Sequence, residues 1–324
     1  MGRSTLRYTG NKGFSADIFK WIFGLVAGAI ILMFLVRFAL QHVDISSKLT
    51  DLEYGEYIDD QLEAFRISGS GSKTLELAEG YTLNLDCDGF GINRNLKKSN
   101  KIIFGPRSLQ GSLAIWTDSW EFPFKITNVY YIGDENLRLL IIYDDNFGGY
   151  AKNLQIPAIF NVQKTHIRDF SVDRLRRESG SERVNLIFFT AVTPAKDIIS
   201  KLGNVHILQV KPGTYSVVYQ NTGKETKYVG NEMLIGAMFA PENFDCLHAK
   251  AIERMRYVTD VYVRRADMLR LKTLEPECAQ GLRDGKRALE SLMDTDNVAA
   301  LFSLRDQLEE QNRHLRRLDC AQIF

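Results

Sequence analysis

Two acidic clusters and four cysteines are the residues whose types and spacing give this sequence most of its chemical potential. Asp86-Cys87-Asp88-Gly89 and Asp144-Asp145-Asn146 offer hard oxygen ligands of the sort calcium accepts. Neither continues into a complete EF-hand loop, and turns in which an aspartate bonds its own backbone account for both. His42, His166, His206, His248 and His314 are scattered, and His206 falls in an apolar strand, where a hydrogen-bonded core histidine is expected. A GxSxG elbow, HExxH, a Walker loop and a GxGxxG opening a helix are all missing. No catalytic residue, metal site or cofactor is therefore assigned.

The elements that must position these residues change character along the chain. Residues 74–78, 81–86, 101–104, 112–117 and 122–132 have strand composition, separated by turn-formers such as Asp88-Gly89 and Gly105-Pro106. Trp116, Trp120, Phe122, Phe124, Tyr130 and Tyr131 crowd this stretch. They could form a carbohydrate-stacking platform, but aromatics in strands more often serve as core and cross-strand pairs.

From residue 137 strands alternate with helices. Strands are expected at 137–143, 161–166, 184–190 and 205–210, and helices at 147–154, 171–178 and 194–202. Thr193 is the expected N-cap of the last helix, with Pro194 at its first position and Gly203 as its stop. A hairpin at 215–229 and a buried strand at 233–240 complete a mostly parallel sheet with an antiparallel edge. Such a sheet places ligands at the carboxyl ends of its strands, which points to Asp144, Asp145 and Thr190 as the candidate ligand site.

The tail reads as three helices, 244–272, 278–293 and 297–318, from apolar residues three and four apart, with Asp296 as the expected cap of the third. Short turns fold such helices back on one another. Arg264, Arg265, Arg313, Arg316 and Arg317 give local basic faces, expected to be solvated.

At the other end, residues 21–36 carry no charged or strongly polar side chain, and 38–40 extend the run past Arg37. About 20 such residues span the hydrocarbon core of a bilayer, and an arginine near the end can snorkel to the headgroups. The expected organisation is a cytoplasmic basic segment at 1–20, a transmembrane helix at 21–40 and a stalk helix with a flexible Ser68-Gly-Ser-Gly-Ser72 joint over 41–72. A β-rich region at 73–135, an α/β domain at 136–241 and a helical segment at 242–324 follow. The fold class is thus mixed α+β and α/β behind an N-terminal transmembrane helix. Arg3, Arg7, Lys12 and Lys20 precede the span, so the positive-inside rule keeps the N-terminus cytoplasmic and the rest outside. Gly24 and Gly28 fit a GxxxG helix contact, a candidate for self-association within the membrane lipid.

The run Lys12-Gly13-Phe14-Ser15-Ala16-Asp17-Ile18 leading into this helix resembles the signal of archaeal type IV pilin-like proteins. That resemblance implies peptidase cleavage at Gly13-Phe14 and retention of the helix. Residues 19–32 are similar to the N-terminal helix of archaeal single-pass surface proteins, and 312–320 has a similar flavour. Asp17 stands fourth after that cut, where bacterial pilins carry a glutamate at the fifth position, and an uncleaved anchor is the first reading.

An outside address makes the cysteines informative. Cys87, Cys246, Cys278 and Cys320 contain no CxxC, and an even count in an oxidising compartment implies two disulfides out of three connectivities. Cys278 starts the second tail helix and Cys320 follows the antiparallel third, so these two share an end and pair. Cys246 is left to tie the tail to Cys87. With Lys+Arg 41 against Asp+Glu 40 there is no global field for nucleic acid. The expected function is that of an anchored extracytoplasmic structural or interaction protein with an unidentified protein partner. An anchored envelope enzyme or solute-binding module using the α/β sheet is the alternative.

Overall fold

The computed structural model describes residues 14–68, 70–93, 95–178, 183–191, 198 and 205–324. Gly13 of the processing site and Thr193, Pro194 and Gly203 of the expected helix lie outside the described residues, whereas Phe14 is the first residue of helix α1 (Phe14–Ser68). The chain divides into two units, Met1–Tyr54 and Gly55–Phe324.

In the first unit, Lys20–Phe38 is one 19-residue helical stretch long and apolar enough to cross a membrane, and none of it is buried within the protein. Trp21, Phe23, Leu25, Ile30, Met33 and Phe34 are all exposed, so the helix is apolar on every side and has no polar face to give to water. Gly24 and Gly28 have open space where a Cβ would stand.

The second unit begins with the last turns of α1. Ile58 and Leu62, one helical turn apart, are fully buried, and the Leu62 carbonyl accepts from the Tyr130 hydroxyl at 3.0 Å. Asp59 faces Lys97 at 3.2 Å and also pairs with Lys101. Burial pushes its carboxyl up, but the two lysines outweigh that and hold it below the usual carboxylate range.

Strands β1 (Gly71–Glu76), β5 (Ile102–Phe104), β7 (Ser112–Glu121) and β8 (Lys125–Asp134) form one sheet in the order β1-β7-β8-β5. Only the β5–β8 pair is parallel. Gly71 and Ser72, expected within a flexible joint, instead start β1 opposite Thr117 and Trp116, because the β7 edge supplies backbone partners that local composition does not reveal. A second, small sheet runs β4 (Asn95–Lys98), β3 (Gly89–Ile92), β2 (Leu83–Leu85), β6 (Ser108–Leu109).

The third sheet has the order β10-β9-β11-β12-β13-β14, from β9 (Leu137–Tyr143), β10 (Asn161–His166), β11 (Arg183–Phe189), β12 (Val205–Lys211), β13 (Ser216–Tyr219) and β14 (Lys224–Lys227). Its first four strands are parallel and the last two antiparallel. Helix α2 (Gly148–Asn153) follows β9 and α3 (Val172–Glu178) follows β10. Strand alternation splits β9 between two cores: Leu139 and Ile141 join the main cluster, while Leu140 and Ile142 pack with Leu175 of α3 and with Ile198.

Residues 233–240, expected as a strand, are instead the body of helix α4 (Gly230–Phe239) and its C-cap, Ala240. Met233 to Phe239 are all buried, so the run is apolar on every side, and such a run carries no period that separates helix from strand. The tail helices are α5 (Phe244–Lys272), α6 (Pro276–Asp294) and α7 (Val298–Arg317). Asn297, not Asp296, caps α7: its side-chain oxygen accepts from Ala299 N at 3.0 Å and Ala300 N at 3.3 Å, while Asp296 turns outward to Arg256. Side chains from the first sheet, the third sheet and α4 to α7 share one hydrophobic core. The six aromatics from Trp116 to Tyr131 are all buried, with Trp116 stacked on Tyr131 at 4.4 Å, so they are core and not a binding platform.

Candidate functional site

The order β10-β9-β11-β12 sends the chain to opposite sides of β9, so β9 and β11 flank the point where the winding reverses. Crevices beyond the carboxyl ends of such strands are the usual ligand sites of parallel sheets. Asp144 and Asp145 follow β9 there and Thr190 follows β11, so the structure brings the three expected residues to one edge.

Their bonding is mostly internal. Asp144 Oδ1 accepts from Asn146 N at 3.0 Å and Phe147 N at 3.1 Å, and Oδ2 accepts from Ala191 N at 3.3 Å. This carboxylate ties the loop after β9 to the loop after β11. Asp145 points to solvent, 3.1 Å from His166 Nε2 and within an ion pair of Arg168. Thr190 is buried, and its carbonyl accepts from Gln209 Nε2 at 3.3 Å. Among the described residues, no group of three or more His, Cys, Asp or Glu converges as a metal site.

At the opposite, amino edge of the same sheet lies a group that sequence reasoning missed. Asn185 of β11 and His206 of β12 are register neighbours. Asn185 is fully buried and donates Nδ2–H to Met238 O at 2.7 Å, while its Oδ1 has no hydrogen-bond partner. His206 Nε2 stands 3.4 Å from Glu242 Oε1, and Arg107 Nε is 3.4 Å from Glu242 Oε2. Burial pushes the His206 imidazole below its ordinary value, partly offset by Glu242. Arg183, Asn185, His206 and Glu242 line a cavity of only about 10 Å³, far below the volume of an organic-ligand pocket. The apolar strand around His206 was the one local signal; its partner Glu242 is remote in sequence and left none.

A third group surrounds the start of α4. Trp120 Nε1 donates to Val229 O at 3.1 Å and the Tyr131 hydroxyl to Glu232 O at 2.9 Å. Burial first, then the proximity of Asp118 and Glu121, raises the Glu232 carboxyl, and burial likewise raises Asp118. These contacts anchor a helix end.

Both cysteine pairs are at disulfide distance: Cys87 with Cys246 and Cys278 with Cys320, each with Cα atoms 5.7 Å apart. These are the expected pairs: Cys278 lies in the first turn of α6 and Cys320 just beyond α7, at the same end of the two helices, and Cys87 with Cys246 is the pair that remains. Disulfides of this kind belong to oxidising, extracytoplasmic surroundings. Comparison with known proteins finds no matching protein family, curated relative or solved structure.

Proposed function

We propose that this chain is a single-pass membrane protein with a cytoplasmic N-terminus, whose disulfide-linked body Gly55–Phe324 serves outside the cytoplasm as a structural or interaction module. The observation that carries the reading is the pairing, in one chain, of an apolar helix with none of its span buried and two disulfides in the body. An apolar cylinder of this length is costly in water and stable in lipid, and disulfides persist on the outer side.

The test uses membranes of expressing cells. The protein should resist alkaline extraction, and protease added from outside should degrade the body. Non-reducing peptide maps should contain the 87–246 and 278–320 links. Release by alkali, or a reduced body, overturns the reading. The pilin-like route is tested in the same sample: a mature protein beginning at Phe14 supports processing at Gly13-Phe14, and an intact start leaves a plain anchor. Contact between copies through Gly24 and Gly28 belongs to the same proposal, and Gly24→Ile should abolish it in a membrane-dimer reporter assay.

The alternative of a solute-binding or catalytic module is favoured by the strand order around β9 and β11. Asp144 is engaged by backbone donors, so the group left to meet a ligand is Asp145, with His166 and Arg168. Asp145→Asn should abolish any binding at this edge.

A further inference from the structure

Beyond α7 the chain reverses and lies back against α6 and α7. Asp319 takes the left-handed conformation, with φ 56°, and Cys320 N donates to Leu315 O at 2.9 Å. Residues 321–324, Ala-Gln-Ile-Phe, then run in neither helix nor strand. Ile323 is fully buried, and the Phe324 ring lies 5.5 Å from that of Phe124, between β7 and β8, and 6.2 Å from that of Tyr262 in α5.

Two helix residues are shaped to this segment. Gly285, inside α6, leaves a notch, and an added Cβ there would overlap Ile323 Cδ1. Glycine weakens a helix interior, so the notch is a local sacrifice made to admit that side chain. Asn312 stands on the buried face of α7 between Leu308 and Leu315. Both ends of its amide engage the segment's main chain: Oδ1 accepts from Ile323 N at 2.8 Å and Nδ2 donates to Phe324 O at 2.6 Å. A stretch that only covers a core calls for apolar contacts; a side-chain notch combined with a buried amide that reads the main chain is how grooves recognise short peptides. The segment is also separable. It holds by one buried side chain, one half-buried ring and that amide, whereas α6 and α7 keep Leu282, Leu289, Leu292, Leu301, Leu308 and Leu315 in the core without it.

We propose that the α6–α7 groove is a peptide-docking site, closed in cis by residues 321–324, and that its partner in trans is a short segment carrying an aliphatic residue followed by an aromatic one. This rests on the reading of the body as an interaction module. The Cys278–Cys320 link fixes the residue just before the segment, so the cis occupant is always close at hand.

The probe is acetyl-Ala-Gln-photoleucine-Phe, with photoleucine in the place of Ile323, added to the purified full chain in detergent micelles. Ile323→Asp vacates the notch, because an unpaired carboxylate is not buried there. The peptide should label the helices around Gly285 and Asn312, with about tenfold higher yield in Ile323→Asp than in the parent, whose own segment competes at an effective concentration on the order of millimolar. Gly285→Leu, which fills the notch from α6 itself, should remove that label when added to Ile323→Asp. Label that is no higher in an Ile323→Asp protein retaining both disulfide links, or that survives Gly285→Leu, overturns the proposal. The parent chain keeps the test decisive if the variant does not fold: at millimolar peptide, label around Gly285 supports the site and its absence overturns it. Alkaline extraction and the disulfide maps do not depend on the groove, so the docking site and the anchored reading fail separately.

Discussion

His248 of α5 packs beside Phe244, and burial pushes its imidazole down to about 4 despite the opposing charge of Asp245. The unfolded chain, with its histidine at the ordinary 6.5, takes up the proton first as pH falls. The stability held by the neutral ring is therefore complete above about pH 6.5 and lost progressively toward pH 4, by up to roughly 3 kcal/mol. Urea unfolding of His248→Gln at pH 7 and pH 5 should show a much smaller pH dependence than the parent; an unchanged dependence would place the effect elsewhere, with His206 the next group depressed by burial. Asp144 is the second telling residue. Its carboxylate accepts three backbone N–H groups from two loops, so Asp144→Ala should lower unfolding stability by about 2 kcal/mol, and Asp144→Asn by less. A loss of stability in Asp144→Ala with no change at Asp145→Asn would separate its role as a loop tie from any role in binding.

At the scale of elements, α7 offers a clean comparison between neighbours. Asn297→Ala removes the acceptor for two orphan N–H groups and should cost about 1 kcal/mol, whereas Asp296→Ala, which loses only an exposed pair with Arg256, should cost under about 0.5 kcal/mol, both read from thermal midpoints. The disulfide from α6 to the end of α7 closes 42 residues of chain, so Cys278→Ser with Cys320→Ser should destabilise by roughly 2–4 kcal/mol. In α4, Gly236 lies against Phe104, where an added Cβ would stand 2.7 Å from the ring, and Gly236→Ala should cost about 1–3 kcal/mol by overpacking. The same elements show how far the sequence could be read. β9, β10 and α5 coincide with their expected bounds because each carries an unbroken period between clear stops. α4 was mistaken because a helix buried on every side has no period to read. β3 and β4 passed unnoticed because glycine, asparagine and lysine dominate them, and only their pairing with each other and with β2 makes them strands. Asp144 could be placed at a strand end from local pattern alone. The contact of His206 with Glu242 could not, since tertiary packing brings them together across the intervening hairpin and helix.

At the scale of the whole body Gly55–Phe324, the larger of its described hydrophobic cores joins side chains from the first sheet, the third sheet and the tail helices, and the four cysteines link the chain at two places. Cys87 lies early in this body, between β2 and β3, and Cys246 sits in the first turn of α5, 159 residues later. The ribosome makes about 5–20 residues per second, so the Cys87 thiol has no partner for on the order of 10–30 s after its own synthesis. If the polypeptide crosses the membrane as it is made, the segment carrying Cys87 reaches the far side first and must wait there as a reduced, reactive thiol. Cys246 is the next cysteine to emerge, so the waiting thiol meets its own partner before either of the others, and Cys278 and Cys320 are then left to each other; pairing in order of synthesis yields both links, and a host lacking a disulfide isomerase should still make the native pairs.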